Sequence, residues 1–223
     1  MKTYAQYCPI ARASEILAQR WTPVIVRTLL SGASTYNRIA DGAPGIPRSL
    51  LTTRLKELVA AGLVERGEGA SSGEYRLTAA GEDLATVLDA MGEWGERWLD
   101  VTPDHANPIY MLNSWVKSYL DVDALPDRRV VVRFQFRDQP QKVNPMWVIF
   151  DGEDSEVCRK APGFEDDLVV DAESVAIAEW HLGRIDWTMA VRSRRISVSG
   201  PRALARALPT WNRRSLWASR SAS

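Results

Sequence analysis

In the segment RSLLTTRLKELVAAG, Leu51, Leu55, Leu58 and Val59 recur at spacings of four, three and one, the apolar stripe of a helix with a 3.6-residue period. Its other face is polar: Arg48, Ser49, Thr52, Thr53 and Lys56, with Arg54 at the margin. Gly62 follows as the C′ residue that ends such a helix in the left-handed conformation. Short strands over 63–66 and 74–77 flank the tip 67–73 and predict a hairpin, and Thr78 caps another helix. Upstream, the pattern predicts helices over 14–20, 22–30 and 34–40, and the breaker-dense DGAPGIP run at 41–47 is a turn. Helix, turn, helix, hairpin, helix is the order of a winged helix.

From Ala79 to Asp100, Leu84, Val87, Leu88, Met91, Trp94, Trp98 and Leu99 recur three and four apart, a stripe larger than a small domain needs for its own core. A dimer interface is the expected use, with Leu84, Leu88, Met91, Trp94 and Trp98 as its residues. The segment TPDHANP then marks a boundary. Beyond it the pattern predicts a helix over 109–119, strands over 129–136, 146–150, 156–160 and 167–170, and a helix capped by Asp171 that runs to Leu182. A helix over 187–192, a strand over 196–198 and a last helix from Pro201 to Leu208 complete it. The expected fold class is α+β, with residues 1–101 as a winged helix-turn-helix domain and 104–217 as a second α+β domain whose helices lie on one side of its sheet.

The 223 residues, 45% hydrophobic and 25% charged, suit two small globular domains. No secretory signal pattern or membrane-length apolar run is visible, so a cytoplasmic protein without membrane insertion is expected. The zero formal net charge conceals segregation. Residues 1–77 hold ten Lys/Arg against six Asp/Glu, residues 78–128 three against ten, and residues 171–223 nine against four, so separate surfaces for separate partners are expected. In the basic tail, Arg192, Arg194, Arg195, Arg202, Arg206, Arg213 and Arg214 suit an anionic headgroup, a second DNA contact or plain solvation.

An amphipathic helix alone binds nothing in most proteins. Here Arg can read guanine edges, Ser and Thr can reach bases or phosphates, and Lys56 can neutralise a phosphate, all beside a hairpin. The DNA-binding set is Arg38, Arg48, Ser49, Thr52, Thr53, Arg54, Lys56 and Arg66. Cys8 and Cys158 are the only cysteines and His105 and His181 the only histidines, so neither a disulfide framework nor a zinc spacing is present. No nucleophile, phosphate-loop or dinucleotide motif stands out, and neither enzymatic activity nor a cofactor is expected.

The motifs CP at 8–9, RWT at 20–22, PGI at 44–46, LTTRLKEL at 51–58, GLVER at 62–66 and EYRLTAAG at 74–81 resemble, in order, the HxlR family of bacterial winged helix-turn-helix regulators. The resemblance implies a homodimer that binds double-stranded DNA at a pseudo-palindromic operator. It also marks Cys8 as the candidate thiol sensor, with Arg12 as the cation that would favour its thiolate. The tip GEGASSG carries Glu68 where relatives commonly have a basic residue and prolines, and TYNRIAD replaces the more usual RFNEL, which implies weaker wing contacts. The C-terminal half, DLVVDAESVAIAEWHLGRIDWTMAVRSRRISVSGPRALARALPTW, resembles sterol-carrier-type domains. That resemblance implies a hydrophobic small-molecule effector, with Trp115, Trp147, Trp180 and Trp187 as candidate pocket residues. The alternative is a lipid or hydrophobic-ligand carrier whose winged helix serves only to dimerise.

Overall fold

A computed structural model describes residues 3–67 and 73–215. The chain divides into two compact units, Met1–Trp94 and Gly95–Ser223.

The first unit begins with α1 (Pro9–Leu17), α2 (Thr22–Leu30), α3 (Tyr36–Asp41) and α4 (Arg48–Ala60). α1 lies five residues earlier than the sequence pattern suggests, because Pro9 at its first turn suits a helix start and the Arg12 N–H already bonds the Cys8 carbonyl (3.0 Å). α2 and α4 start and stop where expected. Gly62 has φ +70°, as the C′ role requires. The strands β1 (Val64–Arg66) and β2 (Tyr75–Leu77) pair antiparallel, and a bridge from Thr35 to Glu74 extends this hairpin to the start of α3. The wing tip, including Glu68, lies outside the described residues.

The core of this unit is aliphatic: Ile25, Val26, Leu29, Ile39, Leu51, Leu55, Leu58 and Val64. Thr78 caps α5 (Ala79–Glu82), its hydroxyl accepting from the Gly81 N–H. The expected long helix is interrupted at Asp83 and resumes as α6 (Leu84–Trp98). Gly81 is buried so tightly that a Cβ there would sit 2.1 Å from the Leu63 carbonyl oxygen, which ties the helix start to the hairpin.

The second unit holds a five-stranded sheet of order β5-β4-β3-β6-β7, from β3 (Val130–Phe136), β4 (Met146–Phe150), β5 (Glu156–Cys158), β6 (Leu168–Ala172) and β7 (Ile196–Ser199). Only the β3–β6 pair is parallel. The helices are α7 (Pro108–Ser114), which continues as a π-helical turn over Trp115–Tyr119, α8 (Ser174–His181), α9 (Trp187–Arg192) and α10 (Arg202–Ala207). They pack on one sheet face, against Val130, Val132, Phe134, Phe136, Val148, Phe150, Leu168 and Val170, as the alternation along β3 predicts.

One expectation is corrected here. Asp171 is not a cap: it lies in β6, and Asp138 accepts from the Ser174 N–H (2.8 Å) and hydroxyl (2.9 Å) at the start of α8. The boundary segment 102–108 is packed against the rest of the second unit. Ala106 and Pro108 are buried, and the Gln139 amide donates to the carbonyls of Pro103 (3.0 Å) and Ala106 (3.3 Å). The last turn of α6 belongs to the second unit for a related reason: Arg184 pairs with Glu96 (2.7 Å) and donates to the carbonyls of Glu96 (3.0 Å) and Leu99 (2.9 Å). A guanidinium there satisfies carbonyls that a helix end leaves unbonded.

Candidate nucleic-acid interface

The buried stripe Leu51, Leu55 and Leu58 fixes the rotation of α4 and turns Arg48, Ser49, Thr52, Thr53 and Lys56 outward, all exposed. No acid stands on that face; Glu57 is half-buried and paired with Arg54. α3 meets the start of α4 through Tyr36, whose hydroxyl donates to the Arg48 carbonyl (2.8 Å). The Thr52 hydroxyl donates to that same carbonyl (3.0 Å) and lies 3.4 Å from the Tyr36 oxygen. The Thr53 hydroxyl donates to the Ser49 carbonyl (3.0 Å). Tyr36 is a positioning residue that pattern reading misses; its signal is an aromatic at the first turn of a short helix before the turn.

With their protons directed at carbonyls four residues back, the two threonines present lone pairs and methyl groups to a partner. Such groups suit the amino groups of adenine and cytosine and the thymine methyl. The permanent cations on or near this face are Arg48, Lys56 and, on α3, Arg38, all exposed. Arg66 is exposed at the end of β1, opposite Tyr75.

Arg54 is the exception among the eight. Its guanidinium turns inward, donating to the Arg20 carbonyl (3.2 Å) and to the Gln19 amide oxygen (3.4 Å) and pairing with Glu57 (2.5 Å). Its side chain is only 14% exposed, so it fastens α4 to the α1–α2 junction and does not stand on the outer face. The expected dimer stripe also divides. Leu84 and Leu88 pack against the first unit's own core. Val87, Met91, Trp94, Trp98 and Leu99 remain exposed along α6 and just beyond it.

Cys8 is a half-buried free thiol at the N-cap of α1, and Arg12 pairs with Glu15 (3.8 Å). Cys158 is half-buried, and burial together with the Glu156 carboxylate pushes its thiol pKa up. His181 is held below the ordinary histidine range by burial and by the nearby Arg214 charge, against the opposing bond to Asn212.

Three of the four candidate pocket tryptophans come together, as core packing, and Trp147 stands apart. Trp115 and Trp180 are buried in an aromatic cluster with Phe134, Phe150 and Trp211, and Trp187 packs edge-on against Trp180 at 4.8 Å. Trp147 alternates with core residues Met146 and Val148, so it points to the other sheet face, where its indole N–H donates to Asp166 (2.9 Å). Two surface clefts of about 440 and 400 Å³ include none of the four. In the larger, Arg137, Glu173 and Arg195 are engaged in ion pairs and Asp138 caps α8. Among the described residues no group of three metal-ligating side chains occurs, and no helix is long and apolar enough to cross a membrane.

The HxlR-like helix-turn-helix family matches residues 16–103, which contain α2 to α6 and the hairpin. The regulator YvaP of Bacillus subtilis is 35% identical over 100 residues, 43% of this chain and 93% of that protein. The chain belongs to the HxlR family. It spans 58% of the length of the mycobacterial HTH-type regulators that it also matches. Among solved structures, the quinone-bound YodB of B. subtilis is similar at 32% identity over 41% of this chain and 99% of that one, with a TM-score of 0.37. The ubiquinone synthesis protein UbiJ-SCP2 is similar at 15% identity over 51% of this chain and 88% of that one, with a TM-score of 0.36. The HxlR match ends at residue 103, so most of the second unit extends beyond it.

Proposed function

We propose that this HxlR-family chain is a sequence-specific DNA-binding transcription regulator that acts as a homodimer. The observation that carries the reading is the outer face of α4: two cations and three hydroxyls on one side of a buried leucine stripe, with no acid among them. On this reading α4 enters the major groove. Thr52 and Thr53 meet base edges, Arg48 reads a guanine near the helix start, and Lys56 and Arg38 hold the backbone. The exposed stripe Val87, Met91, Trp94 and Trp98, spaced four, three and four, is the face through which two copies pair. Pairing would set two α4 helices about 34 Å apart, one helical turn of DNA.

Names of relatives support regulation, and the family match covers the part of the chain that holds α4. Modification of the Cys8 thiol is the input we retain; an apolar effector would need a site other than the four tryptophans.

Selection of binding sequences from random duplexes, followed by affinity measurements on the selected site, tests the reading. Arg48→Ala and Thr52→Ala are expected to lose discrimination, each by about 1–3 kcal/mol at one base position. Lys56→Ala is expected to weaken all sequences alike. Failure to enrich any sequence overturns the reading, and equal behaviour of the three variants overturns the role assignments.

A further inference from the structure

We propose that the outer edge of the second unit's sheet is a second contact for the phosphate backbone of duplex DNA, made by Arg192, Arg194, Arg202 and Arg206. This rests on the DNA-binding reading above and extends it to a part of the chain beyond the family match.

The basic tail resolves into two groups. Arg195 pairs with Glu173 (2.9 Å) and Glu179 (2.7 Å), Arg213 with Asp121 (3.1 Å) and Arg214 with Asp186 (3.9 Å). Arg192, Arg194, Arg202 and Arg206 are exposed, and among the described residues none of them has an ion pair. The acid nearest in sequence, Asp186, lies 3.9 Å from Arg214; farther back, Asp171 pairs with Arg137, and Glu173 and Glu179 pair with Arg195. Segment 187–207 contains no acid of its own.

Placement separates this group from scattered surface charge. β7 is an edge strand, bonded to β6 on one side only. Arg192 and Arg194 stand at the turn that enters it, and Arg202 and Arg206 stand one helical turn apart on α10, which follows it. The exposed Ser197 and Ser199 alternate along the strand between them. Arginines, serines and free edge N–H groups are donors suited to phosphate oxygens.

The four residues of β7 cover about 14 Å, long enough to run beside more than one phosphate of a DNA strand. A single headgroup would meet only one end of it. The entry turn is also held in place. Arg194 adopts φ +59°, a region that side chains other than glycine rarely occupy, and Arg137 donates to the carbonyls of Arg194 (2.9 Å) and Arg195 (3.2 Å). The fold keeps an arginine where glycine would relax, and fixes where its side chain emerges.

The test uses the full chain and measures affinity for the selected operator and for an unrelated duplex between roughly 50 and 300 mM salt. Replacement of all four arginines by alanine is expected to make the slope of log K against log salt shallower by about 2–4, since each lost phosphate contact removes ~0.9. The change is expected on both duplexes, with the operator's preference over the unrelated duplex unchanged. The four-lysine variant is expected to keep the wild-type slope. An unchanged slope in the alanine variant overturns the proposal while leaving the α4 reading intact. A four-lysine variant that behaves like the alanine variant also overturns it.

Exposed Met189 and Val191 lie beside Arg192, so pelleting with phosphatidylserine vesicles is measured in parallel. Vesicle binding that the alanine variant loses, without a change in DNA slope, would assign the edge to a membrane surface. Absence of duplex binding by the wild type overturns the DNA reading and this inference together.

Discussion

The two units use arginine in opposite ways. In the first, Arg12 pairs with Glu15, Arg54 with Glu57 and Arg76 with Glu74, each within three residues, and these pairs leave the outer face of α4 uncompensated. In the second, guanidiniums bridge distant segments: Arg128 to Asp167, Arg129 to Asp151, Arg133 to Asp166, Arg137 to Asp171 and Arg184 to Glu96. The cores differ in parallel, aliphatic in the first unit and rich in stacked tryptophan and phenylalanine in the second. A positive charge in this chain therefore signals a partner only where its acid is missing, and the charge count of a segment does not say which case applies.

The largest effect expected from breaking this contrast is in the aromatic core. Trp211 is fully buried, packs against Phe150 and accepts the Trp115 indole N–H at its carbonyl (3.0 Å). Trp211→Ala is expected to cost about 3–5 kcal/mol of second-unit stability in a denaturant titration. A loss under 1 kcal/mol would mean that the cluster is loosely packed and has room for a ligand after all.

Next in size is the pair Arg54 and Lys56, two residues apart on one helix. Arg54→Ala is expected to lower first-unit stability by about 1.5–3 kcal/mol, because it removes hydrogen bonds made by a half-buried charge. Lys56→Ala is expected to change stability by no more than about 0.5 kcal/mol while weakening DNA binding. Calorimetry and DNA titration on the same two variants check the split, and a Lys56 variant as unstable as the Arg54 variant would erase the distinction between inward and outward cations.

That distinction marks the limit of what the sequence made legible. α4 was largely readable, since its leucine spacing is bounded by Pro47 and Gly62 and both constraints act within a few residues, although Val59, counted in the buried stripe, is exposed. Arg54 was not, because its partners Gln19 and Arg20 are more than thirty positions away. The α8 cap is hidden for the same reason: local pattern points to Asp171, whereas the acceptor, Asp138, is distant in sequence though adjacent across the end of the sheet. The separation of Trp147 from the other tryptophans is legible in the strand pattern: flanked by Met146 and Val148, it faces the other way.

The smallest expected effect is a dependence on pH, and it probes the second unit where residues 212–215 are fastened to α8. His181 lies edge-on to Tyr119 at 4.5 Å, its Nδ1 is 3.0 Å from the Asn212 side-chain oxygen, and its carbonyl accepts the Ser215 N–H (3.0 Å). Asn212 is itself buried and also accepts the Arg214 N–H (2.7 Å). Burial lowers the folded-state pKa, so the folded unit holds the neutral ring while the unfolded chain takes up a proton near histidine's ordinary value of about 6.5. Stability should therefore be constant above that value and fall as the pH drops below it, levelling once the folded form also protonates. His181→Gln, which can still bond Asn212, is expected to flatten the curve between roughly pH 7 and 5. Carboxylates such as Asp167 act lower: burial opposes its ionisation, but bonds from Arg128 and the Val131 N–H outweigh that and lower its pKa, so its contribution is lost only in acid. A curve unchanged by His181→Gln would place the proton elsewhere and leave His181 a packing residue.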